Sequence, residues 1–434
     1  MNQAHPKLPF VARTLMPREV QVNGLLAVTL GVLEGGLLGV IVKTGFNGVA
    51  DVALVNLAVA VVTGAPALAN VASLWFAQRA YGRNKSRLVA LLMGMTALAA
   101  TALAWMPVSA AGLIGLTLVM VMGRLCFAGV ITLRAAIWRA NFPRHVRATI
   151  TGRIAVIYSI IMGLTAGGVG FAMQSSDTAW RLLFPVAGLM GLIAAWRYRR
   201  FTVRGQGRLL RQEAAEGGSG PIRWSDVVAV FRNDRWYRRY MMTMFIFGSG
   251  NLMVIALLVV ILTEQVGLSQ FKQVMITTTI PLLAVALLTP LWARSLDQVH
   301  ILVYRAWHSW MFVITMVLFL FGAALRAEWL FWLGALAMGA AFAGGKLGWN
   351  LGHNDFASDG QSTLYMGIHV SLTGVRGLIA PLLGVFLYQW LQGLTPGLGR
   401  YVLVFPFLMT LTGAITFVVM ARKYRREQGL PPVE

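Results

Sequence analysis

Twelve stretches of this chain run for roughly 20 residues with hardly a charge inside them, and a helix of that length crosses the ~30 Å hydrocarbon core of a bilayer. In hydrocarbon every backbone N–H and C=O needs a partner within the protein, so stretches of this kind fold as helices. The expected spans are 21–43, 52–76, 87–107, 111–135, 151–173, 180–198, 239–262, 274–293, 304–325, 329–350, 364–390 and 401–421. Pro66 interrupts the second, and Pro281 and Pro290 the eighth. Membrane helices accept such breaks where neighbours re-satisfy the freed backbone groups.

The remaining sequence leaves no room for a large soluble domain. Only 12% of the residues are charged, against roughly 25% in a soluble domain, and 57% are hydrophobic. A net charge of +22 would suggest nucleic acid if it lay on one soluble patch, but the basic residues fall between the apolar runs, so no nucleic-acid partner is expected. They read as topology signals. Twenty-eight lysines and arginines collect on one side, among them Arg79, Arg83, Lys85, Arg147 and eleven arginines in 197–239. The other side receives Lys43, Arg181, Lys272, Arg326 and Arg400. Both termini are therefore expected in the cytoplasm, with the chain a multi-pass, monomeric protein of a bacterial cytoplasmic (inner) membrane. The N-terminal segment has no apolar h-region or cleavage site, so the first span is expected to serve as the insertion signal. The single cysteine, Cys126, excludes an intramolecular disulfide.

One long connection divides the twelve spans into an N-terminal unit, 1–198, and a C-terminal unit, 237–434. The connection, 199–236, contains GGSG at 217–220 and an amphipathic stretch, IRWSDVVAVFRNDRWYRRY, which reads as an interfacial helix anchored by its tryptophans. The two units echo each other. Gly31-Val32-Leu33-Glu34 precedes Gly248-Ser249-Gly250-Asn251 by 217 residues, and Leu74-Trp75 precedes Leu291-Trp292 by the same interval. Phe127-Ala128-Gly129 precedes Phe342-Ala343-Gly344 by 215, as Gly152 precedes Gly367. A nearly constant offset across four spans predicts a duplicated six-helix unit.

Six plus six helices around a basic central loop resemble the major facilitator superfamily over essentially the whole chain. That family carries a G-x-L-a-D-R-x-G-R-R pattern after its second helix. Here the loop Trp75-Phe76-Ala77-Gln78-Arg79-Ala80-Tyr81-Gly82-Arg83 keeps Gly82 and Arg83 but lacks the aspartate, and its second copy keeps Asp297 without the following arginine. The resemblance implies a cytoplasmic gate built from Arg79, Gly82, Arg83 and Asp297. The loop Pro143-Arg144-His145-Val146-Arg147 with Gly152-Arg153 is also similar to the family's connection between helices four and five.

Ionisable groups inside a membrane cost at least ~2.5–3.5 kcal/mol on insertion scales, so each marks a cavity or a partner. Glu34 is the one acid within the expected spans, and Arg124, Lys346 and Arg376 are the deeper cations, with Asn251 and His369 as further polar members. In the resembled fold, helices 1, 4, 7 and 10 line the central cavity, and Glu34, Arg124, Asn251 and Lys346 fall one on each. A carboxylate beside a movable arginine can exchange its proton as the partner moves. The expected function is thus a secondary active transporter of a small solute, coupled to protons and working by alternating access; the cavity's positive charge favours an anion, and a lipophilic cation drawn by Glu34 is the alternative. The competing expectation is a transporter-like membrane receptor or assembly factor, which the degenerate loop motifs favour. No nucleotide-binding G-x-x-x-x-G-K-[ST] and no zinc spacing occur, so no cofactor, metal site or enzymatic activity is expected; His353-Asn354-Asp355 reads as helix-end polarity.

Overall fold

The computed structural model describes residues 10–215, 224–357 and 361–429; GGSG at 217–220 and the first residues of the amphipathic stretch lie outside them. Helix α1 runs as two pieces, Phe10–Val32 and Gly35–Gly45. Helix α2 is Val52–Leu68, continued through a tight turn into Ser73–Arg79. Then come α3 (Lys85–Leu103), α4 (Ala110–Asn141), α5 (Arg144–Ala172) and α6 (Trp180–Arg199). Two short helices, Gln206–Ala215 and Trp224–Asn233, occupy the connection. The second half holds α7 (Arg235–Ile261), α8 (Gln270–Val274 and Ile280–Leu296), α9 (Ile301–Leu325), α10 (Glu328–Leu351), α11 (Ser362–Leu394) and α12 (Val404–Glu427).

Eleven of these are long and apolar enough to cross a membrane. Helix α6 is the twelfth, 20 residues long but flanked by Arg181, Arg197 and Arg199 near its ends. The eighth span deviates where expected. Pro281 has no N–H to donate to the turn before it, and that turn, Met275–Thr279, widens into a π-helical one.

Packing repeats between the halves. In the first half α1 packs on α5 and α6, α3 on α4 and α6, and α2 on α4; in the second, α7 packs on α11 and α12, α9 on α10 and α12, and α8 on α10. Adding six to every label of the first set gives the second. The halves meet along α2 with α11 and α5 with α8, pairs that exchange under the same operation, so a pseudo-two-fold axis relates the bundles. The α2–α11 contact is close: a Cβ on Gly377 would strike the backbone of Ala67 and Leu68, and one on Gly64 the Gly377 carbonyl.

The end where α1 begins and α12 finishes is here called the terminal end, and the other the distal end. Side chains bridge the halves at the distal end. The Lys43 ammonium at the end of α1 pairs with Glu264 just beyond α7, and Asn56 of α2 donates to the same carboxylate at 3.3 Å. The other Glu264 oxygen accepts the Tyr388 hydroxyl of α11 at 2.6 Å. Gln270 donates to Asp177 at 2.9 Å and Gln389 to the Ala53 carbonyl at 3.3 Å.

Candidate functional site

The break in α1 builds the centre of the site. Two glycines, Gly35 and Gly36, follow Glu34, and glycine is a poor helix former, so the helix stops and restarts with Glu34 extended at φ −73°, ψ 135°. A stopped helix leaves carbonyls without intrahelical donors. The carbonyl of Leu33 is one, and the Arg124 guanidinium of α4 fills it with Nε at 2.9 Å and with Nη2. The same Nη2 reaches Glu34 Oε2 at 2.6 Å. One planar fork therefore caps a broken helix and neutralises a carboxylate, which a lysine, with a single point charge, does less well.

This pair is unequally exposed. Arg124 is 5% accessible and Glu34 26%, so the carboxylate faces open space while the arginine stands behind it. Lys346 of α10 is exposed in the opposite half, and Glu34 is the carboxylate whose charge acts on it. Tyr158 of α5 lies within electrostatic reach of Arg124, Arg134 and Glu34. Around the break, Gly35 backs onto Thr63 of α2, and Gly36 onto Thr277 and Thr278 beside the widened turn of α8. Helices from both bundles thus surround one acid and two cations.

The other expected members lie elsewhere. Asn251 turns toward α12, where Thr410 Oγ1 approaches it at 3.5 Å. His369 and Arg376 are buried inside the C-terminal bundle, where Trp349 of α10 donates to Thr373 at 3.0 Å and sets its ring 5.6 Å from that of His369. Arg79 stacks over the Trp75 ring at 5.2 Å. Gly82 takes a positive φ of 67°, the left-handed turn that glycine permits. Arg79, Arg83 and Asp297 are exposed, and among the described residues none of the three forms an ion pair.

Glu34 is not the only acid in a span, contrary to the sequence expectation. Helix α1 starts at Phe10 rather than 21, and its first half carries Glu19, fully buried. Asn23 donates to Glu19 Oε2 at 2.9 Å, Tyr198 of α6 to Oε1 at 3.1 Å, and Arg134 of α4 to the Asn23 side chain. This network ties α1, α4 and α6 together. The Lys43–Glu264 bridge also went unread, because its partners are 221 residues apart and each looks like an ordinary helix-end charge. The five cations expected on the sparse side were its one signal, since Lys43 is among them. Among the described residues no three His, Cys, Asp or Glu side chains converge as a metal site would.

The family described as the Major Facilitator Superfamily matches residues 24–303. No curated protein matches the chain by sequence. Solved structures match along nearly its whole length. A D-xylose-proton symporter superposes with a TM-score of 0.71 at 14% identity, covering 94% of this chain and 97% of its own. The xylose transporter XylE from E. coli, in a partially occluded inward-open conformation, gives 0.66 at 12% identity, covering 98% and 99%. A bacterial homologue of the human lysosomal transporter Spinster, inward-facing and occupied, gives 0.64 at 15% identity, covering 96% and 98%.

Proposed function

Because the chain belongs to the major facilitator superfamily and has its fold, we propose that it is a secondary active transporter that moves a small anionic solute together with a proton. The observation that carries this reading is the Glu34–Arg124 pair at the break of α1, with Lys346 across from it. Discontinuous helices at mid-membrane are where secondary transporters hold substrates and coupling ions. A solute carboxylate that enters between Arg124 and Lys346 takes Glu34's place on the guanidinium. Glu34, displaced from the guanidinium while the solute carboxylate occupies the two cations and fills the space it faced, takes up a proton. Solute and proton then cross as a neutral pair, and the charge of the site is unchanged by the passage. Among the structural relatives, the D-xylose-proton symporter is proton-coupled by its name.

Alternating access follows from the duplicated architecture, the two bundles of 1–198 and 237–434 rocking about the site with the 199–236 connection between them. The closed distal end, held by Lys43 and Glu264, and the accessible Glu34 and Lys346 support an opening at the terminal end. The basic residues of that end assign it to the cytoplasm of a bacterial inner membrane. Arg79, Gly82, Arg83 and Asp297, free of one another here, form the contact that closes this end in the opposite state. Asn251, His369 and Arg376 shape the C-terminal bundle behind the site. The protein works as a monomer, without cofactor and without enzymatic activity.

Reconstitution in liposomes with an imposed pH gradient tests this. The expected result is accumulation of a carboxylate-bearing solute from a screened pool, with Glu34→Gln losing gradient-driven accumulation at least about tenfold while keeping solute exchange. Folded protein that moves no solute at all, or a Glu34→Gln variant that accumulates normally, overturns the proposal and leaves the receptor or assembly reading.

A further inference from the structure

The interior of the C-terminal bundle holds two guanidinium groups and, among the described residues, no acid between them. Arg305, near the start of α9, is 2% exposed, and Arg376, midway along α11, is 3% exposed. Among the described residues neither forms an ion pair. Arg376 donates through Nη1 to the Met244 carbonyl and through Nη2 to Thr373 at 2.8 Å, while its Nε has no partner. Arg305 reaches the Gly345 carbonyl at 3.5 Å, and its Nε is likewise unpartnered among the described residues.

These cations stand close enough to act on each other, and both act on His369. His369 is fully buried with both ring nitrogens unpartnered. The Tyr240 hydroxyl, also buried and unpartnered, belongs to a ring 6.4 Å from the His369 ring. Among the described residues, Asp297 at this end is exposed at the surface, and two further carboxylates are engaged elsewhere. Asp355 accepts the Ile301 N–H at 2.6 Å and faces His300 and His353, and Asp234 accepts the Tyr237 N–H at 2.8 Å and the Tyr365 hydroxyl at 3.1 Å.

Two uncompensated positive charges in one apolar bundle are strongly unfavourable. Buried waters would satisfy the loose N–H and O–H groups but would leave the charge in place. The helices also make room for these groups: a Cβ on Gly248 would land on the Arg376 guanidinium, and one on Gly348 would press on that of Arg305. We propose that the cluster binds a chloride-sized monovalent anion, held by the unpartnered Nε groups of Arg305 and Arg376 with His369 and Tyr240 as further donors. Both guanidiniums already lie against neighbouring backbone at Gly248 and Gly348, which favours a monatomic ion over sulfate or phosphate. This site lies apart from Glu34 and Arg124, on helices of one bundle, so its ion stays with the protein and locks α7, α9 and α11 to one another.

Thermal unfolding of the purified full-length protein in detergent, followed by tryptophan fluorescence, tests this without reference to transport. At constant ionic strength, chloride and bromide should raise the Tm saturably by about 2–4 °C over gluconate. Arg305→Gln and Arg376→Met should each abolish the difference. Ser309→Asp, which puts a carboxylate one helical turn from Arg305, should raise the Tm in gluconate to the level of the unaltered protein in chloride and remove the halide response. If the arginine variants do not fold, bromide-soaked crystals of the unaltered protein decide: an anomalous peak between the two guanidiniums supports the site. A halide-independent Tm, a response that survives both arginine substitutions, or crystals without that peak overturns it.

Discussion

Arg124 joins two functions that separate under substitution. Its guanidinium holds the Leu33 carbonyl and the Glu34 carboxylate at once, so removing it leaves a half-buried acid and a broken helix end without their donor together. Arg124→Met should destabilise the protein by about 3–5 kcal/mol, and Glu34→Gln by clearly less, because the Leu33 carbonyl keeps its donors. Thermal denaturation in detergent reads both, and equal losses would show that the carbonyl contributes nothing. Glu34 and Arg124 were legible in the sequence because a charge amid apolar residues stands out whatever its partner. Glu19 was not, since Arg13 and Arg18 beside it count as topology signals ahead of a first span expected to begin at 21. Arg305 was hidden by the opposite error. It lies where a topology signal belongs, and nothing local distinguishes an arginine that turns into the bundle from one that faces solvent.

At the scale of elements, the short helix Gln206–Ala215 supplies what the α2–α3 loop lacks. Glu213 accepts the Gly82 N–H at 2.9 Å and the Lys85 ammonium at 2.6 Å, so an acid from the central connection sits on the loop whose own aspartate is missing. The loop motif remains degenerate in sequence, and Glu213 went unnoticed beside it because it lies 128 residues from Lys85. Glu213→Gln and Lys85→Met should each raise the rate of limited proteolysis within 206–215 several-fold, since a docked helix resists cleavage and an undocked one does not. Arg79→Ala, which leaves that clamp intact, serves as the control, and equal sensitivity in all three would refute the docking. At the same end α9 is capped by an imidazole. Burial pushes His300 below its ordinary value against the opposing charge of Asp355, and the neutral ring accepts the Leu302 N–H at 3.2 Å. The helices themselves were legible because length and hydropathy suffice to define a span. The break in α1 was not, because a glycine pair is tolerated in many continuous membrane helices.

For the whole molecule, the duplicated packing was written in the sequence offsets, while the state it occupies was not. Offsets report which helices correspond, but which end is sealed depends on pairs such as Lys43 and Glu264 that only the folded bundles bring together. Lys43→Met should release the distal end. In a Cys126→Ser background with spin labels at Ala53→Cys and Gln389→Cys, whose unaltered residues are hydrogen-bonded at 3.3 Å, the long-distance population should grow at least about fivefold. A distance distribution unchanged by the substitution would remove Lys43 from the gate. The one-sided placement of that bridge also bears on kinetics. A protein that rests with its distal end sealed meets solute from the terminal face at once, whereas solute from the distal face waits for the minor population that has opened there. Half-saturation is then lower from the terminal face than from the distal face, and at equilibrium the maximal rates in the two directions differ by the compensating factor. Inside-out and right-side-out vesicles, carrying the same protein and the same gradient, would register two different affinities for one site.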